Sequence, residues 1–296
     1  MGKSKLTILT PTYNRASYLP KLISSLQAQT VKDFDWLIID DGSADDTQSY
    51  IENLSGIDFP ISYYKKENGG KHTALNYAHK YIKGEYVLIL DSDDYLVNNA
   101  VETIIEDWEK YEKIVSIGML SYEKCHSDGR RVSEQASTDD YYIGNNISHI
   151  VNKSIGGDRC EVVRTKIFKE YIFPSFPNEK FVGEGWLWNN IALKYDTVYR
   201  NEAVYICEYL ENGLTKNGIK NRMKSPFGMM EYCKSYFTKE VCWKVQFKEM
   251  LLYCVYGLNS SLSIRDLIVK SDRRILMILI LPLGYVLYLY WRVIYK

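Results

Sequence analysis

The sequence lacks an excess of charge of either sign. Its 37 Lys and Arg residues balance 37 Asp and Glu residues, without a basic arm or an acidic tail, so nothing argues for a nucleic-acid partner. The six cysteines include no Cys-x-x-Cys pair, and the N-terminal sequence MGKSKLTILTPTYNR holds no apolar run of the secretory type. We therefore expect a reducing, cytosolic setting with structural thiols rather than disulfides or a cysteine metal site.

Long apolar runs are missing except near the C-terminus. Residues 275–291, ILMILILPLGYVLYLYW, carry no charge and lie between the pair Arg273-Arg274 and Arg292. The run is close to the lower limit of about 17 residues for a membrane span, and Pro282 and Gly284 interrupt it. We predict a helix or hairpin embedded from the cytosolic side, with aromatic residues and flanking cations at the headgroups. A spanning helix, and a buried helix that packs on the domain or on a partner, remain open.

The sequence does contain an alternation of apolar runs and helical periods. The runs LTILT, WLIID, ISYYK and YVLIL start at residues 6, 36, 61 and 86. Apolar residues in YLPKLISSLQAQ and HTALNYAHKYIKG recur at helical steps, and Gly84 suits the cap of the second helix. This alternation predicts an α/β fold whose mostly parallel central sheet is flanked by helices and binds ligands beyond the carboxyl ends of its strands. The polar stretch 127–146 predicts an exposed loop.

Acidic residues stand where the fourth apolar run ends. Asp91, Asp93 and Asp94 follow YVLIL directly, and alternation along an extended backbone puts Asp91 and Asp93 on the same side. Two adjacent carboxylates repel each other unless a cation or hydrogen-bond donors compensate. A hard divalent metal, completed by water and phosphate oxygens, would do so and would neutralise a diphosphate. A solvated turn in which an Asp caps a helix is the alternative.

Four motifs occur in a fixed order along the first hundred residues. TPTYNRASYL follows the first run, IIDDGSADDT the second, NGGKHTALNYAHKYIKG precedes the fourth, and DSDD ends it. In this order and spacing, residues 5–215 resemble the family-2 nucleotide-sugar glycosyltransferases with the GT-A fold, of the bacterial surface-polysaccharide type. The resemblance implies a Rossmann-like sheet, to which we add a helical C-terminal appendage.

The resemblance also implies a nucleotide site. Asp41 would accept a hydrogen bond from the imide of the base, which fits uracil or guanine better than adenine, and Asp40 would support that turn. Gly70 would let the backbone approach the nucleotide, and Lys71 would offer charge to the phosphates. The remaining implied nucleotide contacts are Pro11, Thr12, Tyr13, Arg15, Asn76, Asp91 and Ser92.

A metal and a diphosphate complete the implied site. The resemblance implies Mg²⁺ or Mn²⁺ on Asp93, with Asp91 facing the metal or the ribose, whereas Asp94 fits better as a capping acid or as an acid that supports the metal ligands. Leu75 stands where the family often has an Arg before Asn76, so that phosphate contact is not carried over. A loop over the diphosphate would contribute Thr215 and Lys216.

A general base for the acceptor hydroxyl is implied as well. The family usually places a Glu-Asp pair at the start of a helix, and here the pair reads Glu184-Gly185. We therefore assign Glu184 as the base, with Asp158 in reserve and a helix N-terminal acid as the alternative role of Glu184. Trp186 and Trp188 can stack on sugar faces or belong to the core.

These implications define a domain organisation and an activity. Residues 1–215 would form the glycosyltransferase domain, with a nucleotide-binding half at 1–95 and an acceptor and catalytic half at 96–215, followed by a helical region at 216–270 and a membrane-associating segment at 271–296. The expected enzyme is an inverting, metal-dependent glycosyltransferase that moves a sugar from a nucleotide-diphosphate donor, a UDP-sugar in the family's usual case, to a glycan hydroxyl. We expect a lipid-linked acceptor and a peripheral or monotopic position at the cytoplasmic face of the cell membrane.

Three other interpretations stay open. A scaffold that keeps the nucleotide-sugar site but has lost catalysis would fit the missing second acid. A dinucleotide oxidoreductase would need a Gly-x-Gly-x-x-Gly turn after the first strand, where Pro11 stands. A nucleotidyltransferase would need a Gly-rich, basic phosphate loop at the same place, and TPTYNRASY offers only Arg15 there.

Overall fold

The computed structural model describes residues 4–208 and 218–295. The chain divides into two compact units. The first unit contains residues 4–172 and Lys194–Glu208, and the second contains Phe173–Leu193 and residues 218–295. Thr215 and Lys216, the predicted contacts to the diphosphate, lie outside the described residues.

A nine-stranded sheet forms the centre of the first unit. Its strands are β1 (Leu6–Thr12), β2 (Phe34–Asp40), β3 (Ile61–Lys65), β4 (Tyr86–Ile89), β5 (Tyr95–Leu96), β6 (Ile117–Cys125), β7 (Tyr141–Gly144), β8 (Arg159–Arg164) and β9 (Asp196–Ile206). The strand order is β3-β2-β1-β4-β8-β6-β9-β5, and β7 pairs with β9. From the pairings, β1, β2, β3, β4, β6 and β9 run in one direction and the other three strands run against them. The predicted α/β fold with a mostly parallel central sheet is confirmed.

Helices cover this sheet because its first strands are apolar on both faces. Every residue of β1 and β2 is buried, as expected for parallel strands with helices on either side. On one side Tyr86 stacks on Trp108 with ring centroids 4.3 Å apart, and inside the sheet Trp36 Nε1 donates to Thr10 Oγ1 at 2.9 Å. The helices of this unit are α1 (Leu19–Gln27), α2 (Thr47–Glu52), α3 (Lys71–Ala78), α4 (Ala100–Tyr111) and α5 (Thr165–Phe168), with a π-helical turn at Ile147–Val151.

The in-register pairing of β1 positions the functional residues. Thr12 pairs with Asp40 at the ends of β1 and β2, and Leu9 pairs with Ile89 at the end of β4. The segments that follow these three strands therefore leave the sheet at the same edge, as expected for parallel strands.

Two local predictions were wrong. The helix α3 ends at Ala78, so Gly84 is not its cap; instead the Gly84 N–H donates to Thr7 Oγ1 at 2.8 Å, and a Cβ at this position would lie 2.5 Å from the Thr7 nitrogen. The polar stretch 127–146 is not a loop throughout, because β7 forms within it and pairs with β9.

The second unit is helical in its described part. Its helices are α6 (Gly185–Ala192), α7 (Gly218–Met223), α8 (Pro226–Lys234), α9 (Trp243–Asn259), α10 (Ile264–Lys270) and α11 (Arg274–Ile294). Side chains from α8, α9, α10 and α11 share one core that includes Met230, Tyr253, Leu267 and Met277. This unit therefore has its own hydrophobic centre.

Candidate functional site

The two acids at the end of β2 hold neighbouring backbone segments in place. Asp40 is fully buried; its Oδ1 accepts from the Ser43 N–H at 2.7 Å and its Oδ2 from the Tyr63 hydroxyl at 2.5 Å. Burial and this carboxylate raise the pKa of Tyr63, which keeps the phenol protonated as the donor. Asp40 therefore fixes the turn, the supporting role predicted for it.

Asp41 ties the β2 exit to the glycine segment before α3. Its carboxylate is buried and accepts from the Gly69 N–H at 3.0 Å, the Gly70 N–H at 2.6 Å and Lys66 Nζ at 2.6 Å. Asn68 Nδ2 approaches its Oδ2 at 3.2 Å. Since a carboxylate accepts about four hydrogen bonds, a nucleobase N–H would have to replace one of these donors. The predicted contact between Asp41 and the base stays a prediction.

Gly70 is the N-cap of α3 and has a conformation that suits glycine. Its φ of 92° lies in the left-handed region, where a side chain would be strained. The next residue, Lys71, forms an ion pair with Asp91. Within the same helix Leu75 is fully buried in the core, while Asn76 is half-buried.

The end of β1 connects to the end of β2. The Asp41 N–H donates to the Thr12 carbonyl at 2.8 Å, and the Asn14 N–H donates to Ser43 Oγ at 2.9 Å. The buried Thr12 Oγ1 has no hydrogen-bond partner among the described residues, whereas Tyr13 is 47% exposed. An unsatisfied hydroxyl beside an exposed aromatic ring is the kind of surface that a base and ribose would complete.

The acids that follow β4 face cations. Asp91 pairs with Lys71, and Asp93 Oδ2 lies 3.8 Å from Arg15 Nη2. Burial raises the pKa of Asp91, but the charges of Lys71, Lys124 and Arg15 outweigh burial and lower it overall. Burial and the charge of Asp91 raise the pKa of Asp93. The neighbouring cations thus favour the ionised form of Asp91, whereas ionisation of Asp93 would be helped by an added cation.

Asp94 has a structural role, which is to support the neighbouring backbone rather than to cap a helix. Its Oδ2 accepts from the Tyr205 hydroxyl at 2.8 Å and its Oδ1 from the Glu208 N–H at 3.0 Å. The Tyr205 oxygen in turn accepts from the Asp91 N–H at 3.0 Å. Asp94 thereby orients the backbone that carries Asp91.

The residues present fit a metal that is also held by phosphate. The described residues contain no group of three His, Cys, Asp or Glu that could hold a metal ion, and Asp94 is engaged elsewhere. Asp91 and Asp93 remain, and Mg²⁺ is commonly bound by one or two carboxylates together with water and substrate phosphates. The donor set therefore suits Mg²⁺ or Mn²⁺ that arrives with a diphosphate.

Sequence reasoning missed Lys124. This residue lies on β6 opposite Tyr205 of β9, with Nζ 4.3 Å from the centroid of the Tyr205 ring. Burial lowers the pKa of Lys124, but the charge of Asp91 outweighs it and the pKa is raised. With Arg15 and Lys71, Lys124 makes a third cation beside the β4 exit. Its place at the end of a predominantly apolar run was the only sequence signal.

Glu184 lies in the second unit, at the start of α6, as the sequence predicts. A Cβ on Gly185 would lie 3.1 Å from the Tyr232 ring, so a larger residue there would require that ring to shift. The ring of Trp186 packs on Phe173 at 5.2 Å between centroids. Because Glu184 and the acids of the first unit belong to different units, their convergence on one cavity remains a prediction. Asp158, the reserve base, is exposed just before β8 in the first unit.

Comparison with known proteins gives consistent results. The sequence model of the family described as Glycosyl transferase family 2 matches residues 7–172. The GalNAc(5)-diNAcBac-PP-undecaprenol beta-1,3-glucosyltransferase of Campylobacter jejuni is 29% identical over 239 residues, 78% of this chain and 73% of that protein. The glycosyltransferase GlyA of Streptococcus pneumoniae is 27% identical over 72% of this chain, which spans only about a third, 32%, of its length.

Solved structures agree on the fold. The crystal structure of Staphylococcus aureus TarS 1–349 in complex with UDP-GlcNAc has a TM-score of 0.61 and 19% identity, and covers 92% of this chain and 71% of its own. The mannosyltransferase PcManGT from Pyrobaculum calidifontis, in complex with GDP-Man and Mn²⁺, has a TM-score of 0.60 and 15% identity over 98% of this chain and 88% of its own. At these identities the likeness concerns the fold alone.

Proposed function

The chain belongs to glycosyl transferase family 2 and is a glycosyltransferase with the GT-A fold, and from this premise we propose a specific reaction for it. It transfers one sugar, with inversion, from a UDP-sugar to a hydroxyl of a glycan acceptor, with Mg²⁺ or Mn²⁺ bound. The acceptor is lipid-linked, and the product belongs to a bacterial surface polysaccharide.

One observation carries this proposal: the exits of β1, β2 and β4 form a connected site at one edge of the sheet. Direct bonds run from the Thr12 carbonyl to Asp41, from Asp41 to Gly70, and from the adjacent Lys71 to Asp91. A diphosphate placed at the β4 exit meets Arg15, Lys71 and Lys124, whose charges offset its own. The bound metal would supply further positive charge to the leaving diphosphate.

The reaction needs a base but no covalent intermediate. The acceptor oxygen attacks the anomeric carbon while the bond from that carbon to the diphosphate oxygen breaks. The hydroxyl proton passes to a carboxylate oxygen of Glu184, and the electron pair of the broken bond leaves with the diphosphate. In this proposal Asp40, Asp41 and Asp94 hold the backbone around the donor and take no part in bond making.

The proposed acceptor and location draw on two features. The Campylobacter jejuni relative is named for a PP-undecaprenol substrate, and the helix α11 is long and apolar enough to cross a membrane by length and composition. We propose that this protein also works on a lipid-linked glycan at the cytoplasmic face of the cell membrane, as a peripheral or monotopic protein.

The test begins with the donor. Thermal unfolding in the presence of UDP-, GDP- and ADP-sugars, each with and without Mg²⁺ or Mn²⁺, should show stabilisation by a UDP-sugar that is larger with metal, because a ligand that binds the folded state stabilises it by mass action. The same donor is then assayed with Glu184→Gln and, as a matched control, Asp158→Asn. We expect Glu184→Gln to lower transfer by about 10²-fold or more and Asp158→Asn to leave it within about twofold.

A second function is favoured by the absence of a second acid after Glu184, where Gly185 stands. If Glu184 lacks its acidic neighbour because catalysis has been lost, the protein would be a nucleotide-sugar-binding scaffold. Donor stabilisation without detectable transfer or donor hydrolysis, unchanged in Glu184→Gln, would support the scaffold and contradict the enzyme.

A further inference from the structure

The helix α11 has two opposite faces. Met277, Ile280 and Gly284 are its buried residues. Together with Trp291 they follow one another at steps of three, four and seven residues, so all four lie on the same face of the helix. Ile275, Leu279, Val286 and Val293 are 65% to 80% exposed and follow one another at steps of four and seven residues. Since two residues advance the helix by about 200°, Val286 points away from the face that carries Gly284.

The buried face packs on α9. Met277 Sδ lies 3.1 Å from Cys254 Sγ, and a Cβ on Gly284 would lie 2.4 Å from Cys254 Cβ. Further along, Trp291 meets Tyr256 edge to face at 6.1 Å between centroids. These contacts extend over about four turns of α11, so α9 and α11 form one packed layer.

The outward face is too exposed for a core helix. Only 17% of the most apolar window of α11 is buried, and its outward side chains are aliphatic or aromatic, with Leu283, Tyr285 and Tyr290 at least half exposed. An apolar strip of this length on a protein surface marks a binding surface for another apolar phase.

The charges around α11 fit an anionic bilayer surface. Arg274 and Arg292 are both exposed and are 18 residues apart, which is five turns, so they lie along the same edge of the helix. The neighbouring α10 adds exposed Arg265 and Lys270. Cations at the margin of an apolar face, with tyrosines beside them, are typical of helices that lie at the headgroup level of anionic membranes.

Two features favour a helix in the membrane plane over a spanning one. The packed partner α9 carries exposed Lys244 and Lys248. If α11 crossed the membrane, either these lysines would enter the hydrocarbon core or α11 would have to separate from α9. Pro282 lies on the exposed side and has no N–H to offer the Ile278 carbonyl. That carbonyl can find water or a headgroup at the interface, but not in the bilayer core.

We propose that α11 is an in-plane membrane anchor, which inserts the face of Leu279 and Val286 into one leaflet while its other face stays packed on α9. The proposal rests on the membrane association proposed above and specifies its geometry. It concerns binding to lipid, so it can fail or succeed independently of the transfer reaction.

Vesicle flotation tests the face. Purified full-length protein is mixed with vesicles of phosphatidylcholine or of an equal mixture of phosphatidylcholine and phosphatidylglycerol. We expect binding to the mixed vesicles, lowered about tenfold or more in L279S/V286S because apolar burial is lost. The matched control I264S/V269S removes exposed aliphatic residues from α10 and should bind like the wild type. R274Q/R292Q should lose the preference for the anionic vesicles.

Labelling of introduced cysteines distinguishes an in-plane helix from a spanning helix. In sealed membrane vesicles from expressing cells, R274C and Y295C, each made in a C242S background because the other cysteines are buried, are treated with a maleimide that cannot cross membranes. Labelling of both sites from the same side supports the in-plane anchor, and labelling from opposite sides overturns it while membrane association survives. Failure of the wild type to float, or an L279S/V286S variant that changes oligomeric state instead of vesicle binding, also overturns it. Transfer to a soluble acceptor, measured in parallel, reports separately on the reaction.

Discussion

Two strands of the same sheet lead into pairs of acids, yet the two pairs have different partners. At the end of β2, Asp40 and Asp41 accept hydrogen bonds from backbone N–H groups, from Tyr63 of β3 and from Lys66. After β4, Asp91 and Asp93 face the side-chain cations Lys71 and Arg15. The first pair is held by several hydrogen bonds, whereas the second is paired with the side chains of Lys71 and Arg15.

This difference distinguishes acids that stabilise the fold from acids that are available to a ligand. A carboxylate held by several fixed donors contributes to folding and changes little when a ligand arrives. A partly exposed carboxylate pair opposite side-chain cations can exchange those cations for a metal and a diphosphate without disturbing the sheet. Burial and the charge of Asp91 raise the pKa of Asp93, so a further positive charge beside this carboxylate would be favourable.

The largest expected effect is on the β4 side. Asp93→Asn keeps the shape of the side chain but removes the charge, and we expect transfer to fall by about 10³-fold because the leaving diphosphate loses its stabilisation. The melting temperature should stay unchanged or rise, since ionised Asp93 is unfavourable without a ligand.

The matched control for this change is Asp46→Asn, an exposed acid beyond β2 that makes no side-chain cap. It should leave both activity and melting temperature as they are. An Asp93→Asn enzyme with wild-type turnover at saturating Mg²⁺ or Mn²⁺ would contradict the comparison.

Removing the Asp41 carboxylate should mainly lower stability, in contrast to Asp93→Asn, which should mainly lower transfer. Asp41→Ala leaves the Gly69 and Gly70 N–H groups and Lys66 without their acceptor, so we expect the free energy of unfolding to fall by about 3 kcal/mol. Urea titration of the metal-free protein measures this loss. A variant as stable as Asp46→Asn would show that the loop does not depend on Asp41.

Acidic pH should lower the stability of the region around Asp41 through protonation of His72. Burial lowers the pKa of His72 to about 4, with Asp41 opposing and Lys66 adding to the shift, so the folded protein holds the imidazole neutral. Below its ordinary pKa of 6.5 the unfolded chain binds the proton that the folded chain rejects, and stability is lost as pH falls from about 6.5 towards 4. The loss should reach up to about 3 kcal/mol.

Replacement by glutamine tests this assignment. His72→Gln should remove about half of the decline of unfolding free energy between pH 6.5 and 4, because His79, whose pKa burial also lowers to about 4, contributes a similar part. If the decline is as steep in His72→Gln as in the wild type, another group titrates there.

The order of strands and helices was predictable because strands and helices give different spacings of apolar residues along the sequence. The four apolar runs became β1 to β4, and the motifs after them fall at one edge of the sheet because parallel strands align their carboxyl ends. The helical end at Ala78 and the strand β7 were not predictable, since Gly84 is required by its contact with β1 and β7 exists only because β9 offers a free edge.

The site was predictable only where its residues are local in sequence. The acidic motifs mark Asp40, Asp41, Asp91 and Asp93, but no pattern tells that the first two are saturated with hydrogen bonds. That outcome depends on how the segment before α3 folds back on the β2 exit. Lys124 comes from a strand far along the chain and reaches the site through the pairing of β6 with β9, which no local motif records.

The smallest expected effect concerns this residue and sharpens the contrast between the two strand ends. If Lys124 is one of the cations that exchange onto the diphosphate, Lys124→Met should raise the KM for the donor about tenfold, the value of one charge-assisted hydrogen bond, with a smaller change in kcat. Lys124→Arg should restore most of the affinity because the charge over the Tyr205 ring returns. Lys65→Met, at the exposed end of β3, removes a lysine that lies beyond the β2 side and should leave the KM alone. Equal KM values for Lys124→Met and Lys65→Met would place Lys124 among the structural cations instead, and would leave Arg15 and Lys71 as the cations of the β4 exit.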